Sequence, residues 1–342
     1  MSSDYGYINA RVRGMRAKLL GPPFYQAALD ASDFRAFTSS LAQTPYVKEL
    51  EEAQARSTGL AAVDHAVARN VYHTAHSLLT FSDGQPRELI GLLLMRFDLA
   101  NVKAIARGKH AGKGLEEIEG SLFPAGELRP SLLEQAAMAS DMAAAAQVLA
   151  VARSEVTSAF VRAARRYQSD PDLYALEVAL DQAYYAAILS RADAADAPKA
   201  LKRYLQLEVD AANLRTALKI RGRAPQAAAD LFIRGGHEIK RAAFDAIVND
   251  PEGAALGVLA GGLFAAVAAA AAGESGLGAA EAEIRKVLDA SAHRLSLAPL
   301  NIGVVVDYLR RKEAEAAQLR LLARGKFYGV PRETLERELA HA

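Results

Sequence analysis

The 342-residue sequence has no cysteine. That excludes a disulfide framework, a thiolate nucleophile, an iron–sulfur cluster and any cysteine-based zinc site, and it favours a reducing compartment, the cytoplasm. A charge of one sign is also lacking: 41 Lys and Arg against 40 Asp and Glu leave a net charge of +1. The electrostatic footprint of a nucleic-acid binder is therefore missing. No stretch alternates with the period of two that marks a half-buried strand. The opening MSSDYGYINARVRGMRAKLL has no apolar core of signal-peptide type. One uncharged run, 253–273, has the length of a membrane span. Ala and Gly make up most of it and gain little in hydrocarbon, so a soluble segment is expected, with Gly257 and Gly261 letting two helices approach closely.

What is present is helix-forming almost throughout, with Ala, Leu, Glu, Lys and Arg dominant. Pro86 and Gly108 bracket a helix of roughly 22 residues, since proline suits a first turn and glycine an exit. The same grammar returns between Pro198 and Gly222 and between Pro299 and Gly325. Inside these three helices Asp98, Asn101 and Lys103 match Asp210, Asn213 and Arg215, and more loosely Glu315, Gln318 and Arg320, at steps of 112 and 105 residues. Ser32-Asp33, Ser140-Asp141 and Asn249-Asp250, each a helix cap or turn, stand 108 and 109 residues apart. The apolar pairs Val63/Val67, Leu176/Leu180 and Ile284/Leu288 keep steps of 113 and 108. An aromatic three residues before a glycine follows the first two helices, as Phe123 with Gly126 and Phe232 with Gly235. Since one third of the chain is 114 residues, the expectation is an all-α protein of three similar units, 1–123, 124–231 and 232–342. Asn9 and Arg11 in the first helix repeat the Asn101/Lys103 spacing and hint that the termini close a circle.

A search for chemistry finds no catalytic constellation. GKHAGKG at 108–114 has the wrong glycine spacing for a phosphate-binding loop, lacks the magnesium-binding Ser or Thr, and follows a helix where a strand is needed. His73 and His76 share a helix face without a third ligand nearby. Glu116, Glu117 and Glu119, and Glu313 with Glu315, read as solvated faces, because nothing around them drives their acidities apart. No cofactor or metal is implied. Arg11, Arg13, Arg16 and Lys18 make a basic helix without interleaved aromatics, suited to an acidic protein surface more than to nucleic acid.

Several segments in order carry a resemblance: the opening YGYINARVR, Leu41 to Tyr46 (LAQTPY), Asp98 with Asn101 and Lys103, LEVDAANLR around Asp210, and the closing YLRRKEAEAAQLR. Together they resemble the C subunit of the prokaryotic V-type (A-type) ATPases, the counterpart of the d subunit of the eukaryotic vacuolar enzyme. Gln318 stands where that pattern leads one to expect Asn. The resemblance implies a funnel of three helical domains about a pseudo-threefold axis. It implies a non-catalytic rotor part, one copy per complex, on the cytoplasmic face of the membrane without spanning it. Its partners would be the central shaft subunits and the proteolipid ring, with no nucleic acid, and it would carry torque between ATP turnover and ion translocation. Arg11, Arg13, Arg16 and the acid, amide and basic residues of the long helices are the candidate interface or structural residues. A helical repeat scaffold that binds a protein partner elsewhere is the alternative, although such arrays usually repeat every 34 to 47 residues or so. An all-helical enzyme assembled across units is a third.

Overall fold

The computed structural model describes residues 5–222, 228–273 and 276–341. Among them it contains helices and no strand, so the fold is all-α. Helix α1 (Tyr5–Arg16) is followed by three short helices, α2 (Pro22–Asp30), α3 (Phe34–Leu41) and α4 (Val47–Gln54), and two long ones, α5 (Gly59–Thr80) and α6 (Gly84–His110), then the small α7 (Leu115–Glu119). The order returns in α8 (Pro130–Met138), α9 (Met142–Leu149), α10 (Glu155–Ser169), α11 (Leu173–Ala194) and α12 (Lys199–Ile220), followed by a 3-10 turn at Ala228–Leu231. It returns again in α13 (Arg241–Val248), a 3-10 turn at Ala254–Leu259, α14 (Ala265–Ala272), α15 (Gly276–Ser296), α16 (Gly303–Phe327) and α17 (Arg332–His341).

Local chemistry fixes many of these starts. Pro22 and Pro130 occupy first turns, where a missing N–H costs nothing. The Asp33 and Asp141 carboxylates each accept a backbone N–H three residues on, capping α3 and α9. Asp250 accepts from Glu252 and Ala255 and so winds the turn that stands in the corresponding place. The six apolar residues paired by spacing in the sequence, Val63, Val67, Leu176, Leu180, Ile284 and Leu288, are all buried.

Contacts between long helices run around the molecule and return to their origin. Helix α6 packs on α11, α12 on α15, and α16 on α5. The short elements after the long pairs follow the same rule: α7 touches α8, the Ala228–Leu231 turn touches α13, and α17 touches α2. Helix α1 lies along α16, and Asn9 Nδ2 donates to the carbonyls of Pro299 and Asn301 at 2.9 and 3.0 Å. Apolar side chains form one large core and a second that joins α12 to α13, α14 and α15. No helix among the described residues is long and apolar enough to cross a membrane.

Several sequence expectations need correction here. Helix α6 is 27 residues long and runs past Gly108, because that glycine is buried and lets Ile118 of α7 lie directly on the helix backbone. Gly325 does the same for Leu335 of α17. Only Gly222 is a helix exit, at φ +71°. Helix α16 starts at Gly303 and not beside Pro299, since Asn9 holds residues 299–301 as a loop and Asn301 Oδ1 accepts the Gly303 amide at 2.7 Å. The 253–273 run folds as a 3-10 turn and the eight-residue α14, and a Cβ at Gly257 or Gly261 would meet nothing within 4 Å, so these two glycines do not bring helices together.

Candidate functional site: the junction of three long helices

Helices α6, α12 and α16 converge on a charged cluster. The Arg96 guanidinium donates to Glu208 Oε1 at 3.0 Å through one nitrogen and to Glu313 Oε2 at 3.4 Å through another. These residues stand two positions before Asp98, Asp210 and Glu315, so equivalent positions of three helices meet at one point. Two carboxylates alone would repel each other there, and Arg96 turns the repulsion into attraction. A cavity of about 510 Å3 opens beside the cluster, lined among others by Arg96, Glu208, Glu313, Tyr184, Arg310 and Ala317. Arg310 bridges to Asp289 of α15 at 2.6 Å. Burial raises the Tyr184 phenol well above its ordinary value, so it stays protonated.

The acid, amide and basic residues singled out in the sequence fall into three matching series around this junction. The acids hold the stretch of chain that enters the next set of helices. Asp98 accepts the amides of Glu127 and Leu128, at 2.9 and 3.0 Å, just before α8. Asp210 accepts those of His237, Glu238 and Ile239, just before α13. Glu315 accepts the Leu20 amide at 2.6 Å, just before α2. Leu128, Ile239 and Leu20 each stand two residues ahead of the helix they lead into. Burial pushes the Asp98 carboxyl up to about 6 against the pull of its two backbone donors, and raises Asp210 for the same reason.

The amides clamp the backbone of one residue each. Asn101 accepts from the Phe123 N–H and donates to its carbonyl, and Asn213 does the same with Ile233. The true counterpart of Phe123 and Gly126 is thus Ile233 with Gly236, one residue on from the Phe232/Gly235 pair read in the sequence. A Cβ at Gly126 or Gly236 would overlap Oδ1 of Asp98 or Asp210. Gln318 is half-buried and holds no loop in this way.

The basic residues reach the first long helix of the next set. Lys103 pairs with Asp181 of α11 at 2.6 Å and Arg215 with Glu281 of α15 at 2.7 Å. Arg320 approaches Asp64 of α5 at 3.4 Å, donates to the Leu122 carbonyl at 3.0 Å and lies 3.6 Å over the Phe123 ring. Desolvation lowers Arg320 to about 10, leaving it charged at neutral pH.

The basic residues of α1 do not act together. Arg11 stacks over Phe81 at 4.2 Å and Arg16 pairs with Asp307 at 3.3 Å, while Arg13 is exposed. Lys18 lies beyond the helix end. Sequence reasoning missed Arg96 and Glu208, which stand 112 residues apart, and read Glu313 and Glu315 as a solvated face, whereas Glu313 is half-buried on Arg96 and Glu315 is buried. It also missed the buried trio at the closing junction, where Lys312 Nζ donates to Glu315 at 2.7 Å and to the Tyr46 hydroxyl at 2.8 Å, and that hydroxyl donates to Glu315 at 2.7 Å. Its signal, an i,i+3 Lys and Glu on a long helix, is indistinguishable from an exposed pair.

Chemically the arrangement binds helices to one another. Ser57 Oγ lies 3.3 Å from His65 Nδ1, but the neighbouring Asp64 is turned to Arg320 and Arg324 and does not orient the imidazole. His73 meets Glu49 at 3.0 Å, and no group of three metal-ligating side chains occurs among the described residues.

Comparison with known proteins finds similarity along nearly the whole chain. The family model of the ATP synthase (C/AC39) subunit matches residues 8–338. The C subunit of the V-type ATP synthase of Thermus thermophilus is 38% identical over 341 residues, 99% of each chain. That of Deinococcus radiodurans is 35% identical over 342 residues, covering 99% of this chain and 92% of the relative. The C subunit of the A-type ATP synthase of Haloferax volcanii is 27% identical over 345 residues, 98% of this chain and 97% of the relative.

Proposed function

Because this chain belongs to the family of the ATP synthase (C/AC39) subunit, we propose that it is the non-catalytic rotor adaptor of a rotary V/A-type ATPase. It links the central shaft to the membrane proteolipid ring and passes torque between ATP turnover and ion translocation. It sits as one copy on the cytoplasmic face, peripheral to the bilayer. The three units are 1–123, 124–231 and 232–342.

The observation that carries this reading is the closed circuit of helix contacts, α6 on α11, α12 on α15 and α16 on α5, around the Arg96–Glu208–Glu313 junction. A part that transmits torque must resist shear between its sections. Close-packed helices supply that resistance, because protein interiors are dense and poorly compressible. Each contact between successive sets also carries a charge pair, which fixes register more than it adds affinity. The near-neutral charge suits docking through local patches on two sides. Exposed Arg13 is the α1 residue best placed to meet an acidic partner, since Arg11 and Arg16 are engaged within the chain.

The test is a rotary ATPase assembled with and without this chain. The reading expects ATP hydrolysis by the head to persist without it while ATP-driven ion pumping is lost, and expects shaft and ring proteins to be recovered with a tagged chain from detergent-solubilised membranes. Pumping unaffected by its removal, or recovery of neither partner, would refute the adaptor role. Arg13→Glu that assembles and pumps like wild type would remove Arg13 from the interface.

A further inference from the structure

Three adjoining hollows, two between α10 and α11 and a third running from α11 toward the Ala228–Leu231 turn, form one open groove. The first, about 560 Å3, is lined by Arg153, Ser158, Arg162, Ala183 and Ala187 among others. The second, about 440 Å3, shares Arg162 and Ala183 and adds Ala159, Ala163, Arg166 and Ala179. The third, about 740 Å3, shares Arg166 and Ala179 and runs on toward Arg234. From Glu155 to Arg166 the rim follows α10 for roughly 17 Å, about 1.5 Å per residue, with Arg153 just ahead of the helix.

Two properties distinguish this groove. Its floor is methyl groups, from Ala159 and Ala163 on one helix and Ala179, Ala183 and Ala187 on the other. Its rim is unneutralised cation: Arg153, Arg162, Arg166 and Arg234 have no carboxylate within ion-pair distance among the described residues, in a protein whose overall charge is +1. Two of the nearby acids are committed elsewhere, and Asp230 lines only the third hollow. Glu155 is on Arg191 at 2.7 Å, and Asp172 caps α11 through the Ala175 amide. The rim also exceeds what the fold requires, since α10 has 15 residues where its positional counterparts α4 and α14 have eight.

We propose that this groove docks an acidic amphipathic helix of a partner protein. An alanine floor admits a helix at close interaxial distance, and guanidinium forks on the rim match the carboxylates of Glu and Asp flanking the seated face. A single-stranded nucleic acid fits less well: the two α10/α11 hollows present no aromatic ring for base stacking, and the rings of Tyr174 and Phe232 line only the third.

The test uses the full chain and a synthetic helical peptide of roughly 15 residues, about four turns, with Ala and Leu on one face and Glu on both flanks. Fluorescence anisotropy should show saturable binding. The double variant Arg162→Glu/Arg166→Glu should weaken it by about tenfold or more. Arg162→Glu alone should weaken it by more than Arg165→Glu does, the same charge change just off the groove lining, which should cost less than about threefold. Ala183→Leu, which fills the floor without changing charge, should weaken it as well. A far-ultraviolet spectrum like that of wild type shows that each variant is folded. Equal binding by a scrambled peptide of the same composition or by a single-stranded oligonucleotide, an unchanged affinity in the double variant, or no binding of the designed peptide would each overturn the proposal.

Discussion

Glu315 Oε2 accepts the backbone amide of Leu20 at 2.6 Å, joining residues 295 positions apart. The bond repeats, at the ends of the chain, what Asp98 and Asp210 do between covalently consecutive segments. It is reinforced by Lys312 and Tyr46, both buried.

Removing one side of that buried trio should cost far more than removing both. Glu315→Ala leaves the Lys312 ammonium buried without its counter-charge and should lower unfolding stability by about 3–5 kcal/mol. Lys312→Met combined with Glu315→Leu should cost less than the single change, because no unpaired charge remains. Chemical denaturation of the three proteins checks the order.

Arg96 keeps two carboxylates apart in charge and together in space. Arg96→Ala should destabilise the protein by about 3–5 kcal/mol at neutral pH, since Glu208 and Glu313 are then left facing each other. Adding Glu208→Gln removes one of the two facing charges and should recover part of the loss, narrowing the gap in thermal midpoint between variant and wild type.

Asp98 should leave a signature in the pH dependence of stability. Its folded-state value of about 6 lies above the ordinary 3.8, so between the two the folded chain holds a proton that the unfolded chain has released. The contribution of this group is therefore fully present below about 3.8 and is lost as the pH rises through 6. Asp98→Asn should flatten that part of the profile. Above about 6 it should also remove one of the two backbone bonds, worth about 1–3 kcal/mol, because an amide offers one acceptor oxygen where the carboxylate offers two.

Gly126→Ala and Gly236→Ala should behave alike. Each new Cβ displaces the carboxylate that pins the entry to the next helices, with an expected loss of about 1.5–3 kcal/mol per site for the charge-assisted bonds. Gly14→Ala, where a Cβ would meet nothing within 4 Å, should be neutral or slightly stabilising. Thermal unfolding of the three variants separates the cases.

The sequence made the all-α class and the long helices readable because repetition at a fixed step multiplies weak helical signals. Asp98, Asn101 and Lys103 could be matched to Asp210, Asn213 and Arg215 for the same reason. What they bind could not be read. Asp181, Glu281 and Asp64 come from other helices, and spacing along one helix carries no information about the ladder facing it. The glycine exits misled at Gly108 and Gly325, because a residue ten positions downstream, Ile118 or Leu335, claims the space a side chain would fill. The one-residue slip between Phe232 and Ile233 arose because aromaticity drew the match, whereas the clamp grips the backbone and is indifferent to the side chain.

Peptide bonds carry the chain directly across two of the three contacts between sets of long helices, α6 on α11 and α12 on α15. At the remaining contact, α16 on α5, helices far apart in the sequence meet, and beside it, between α16 and Tyr46 just ahead of α4, an ammonium, a carboxylate and a phenol are locked out of water together. Pulling the two ends of the molecule apart would load that seam before any other, so rupture under force should begin at the place where the amino acids compensate for a missing backbone.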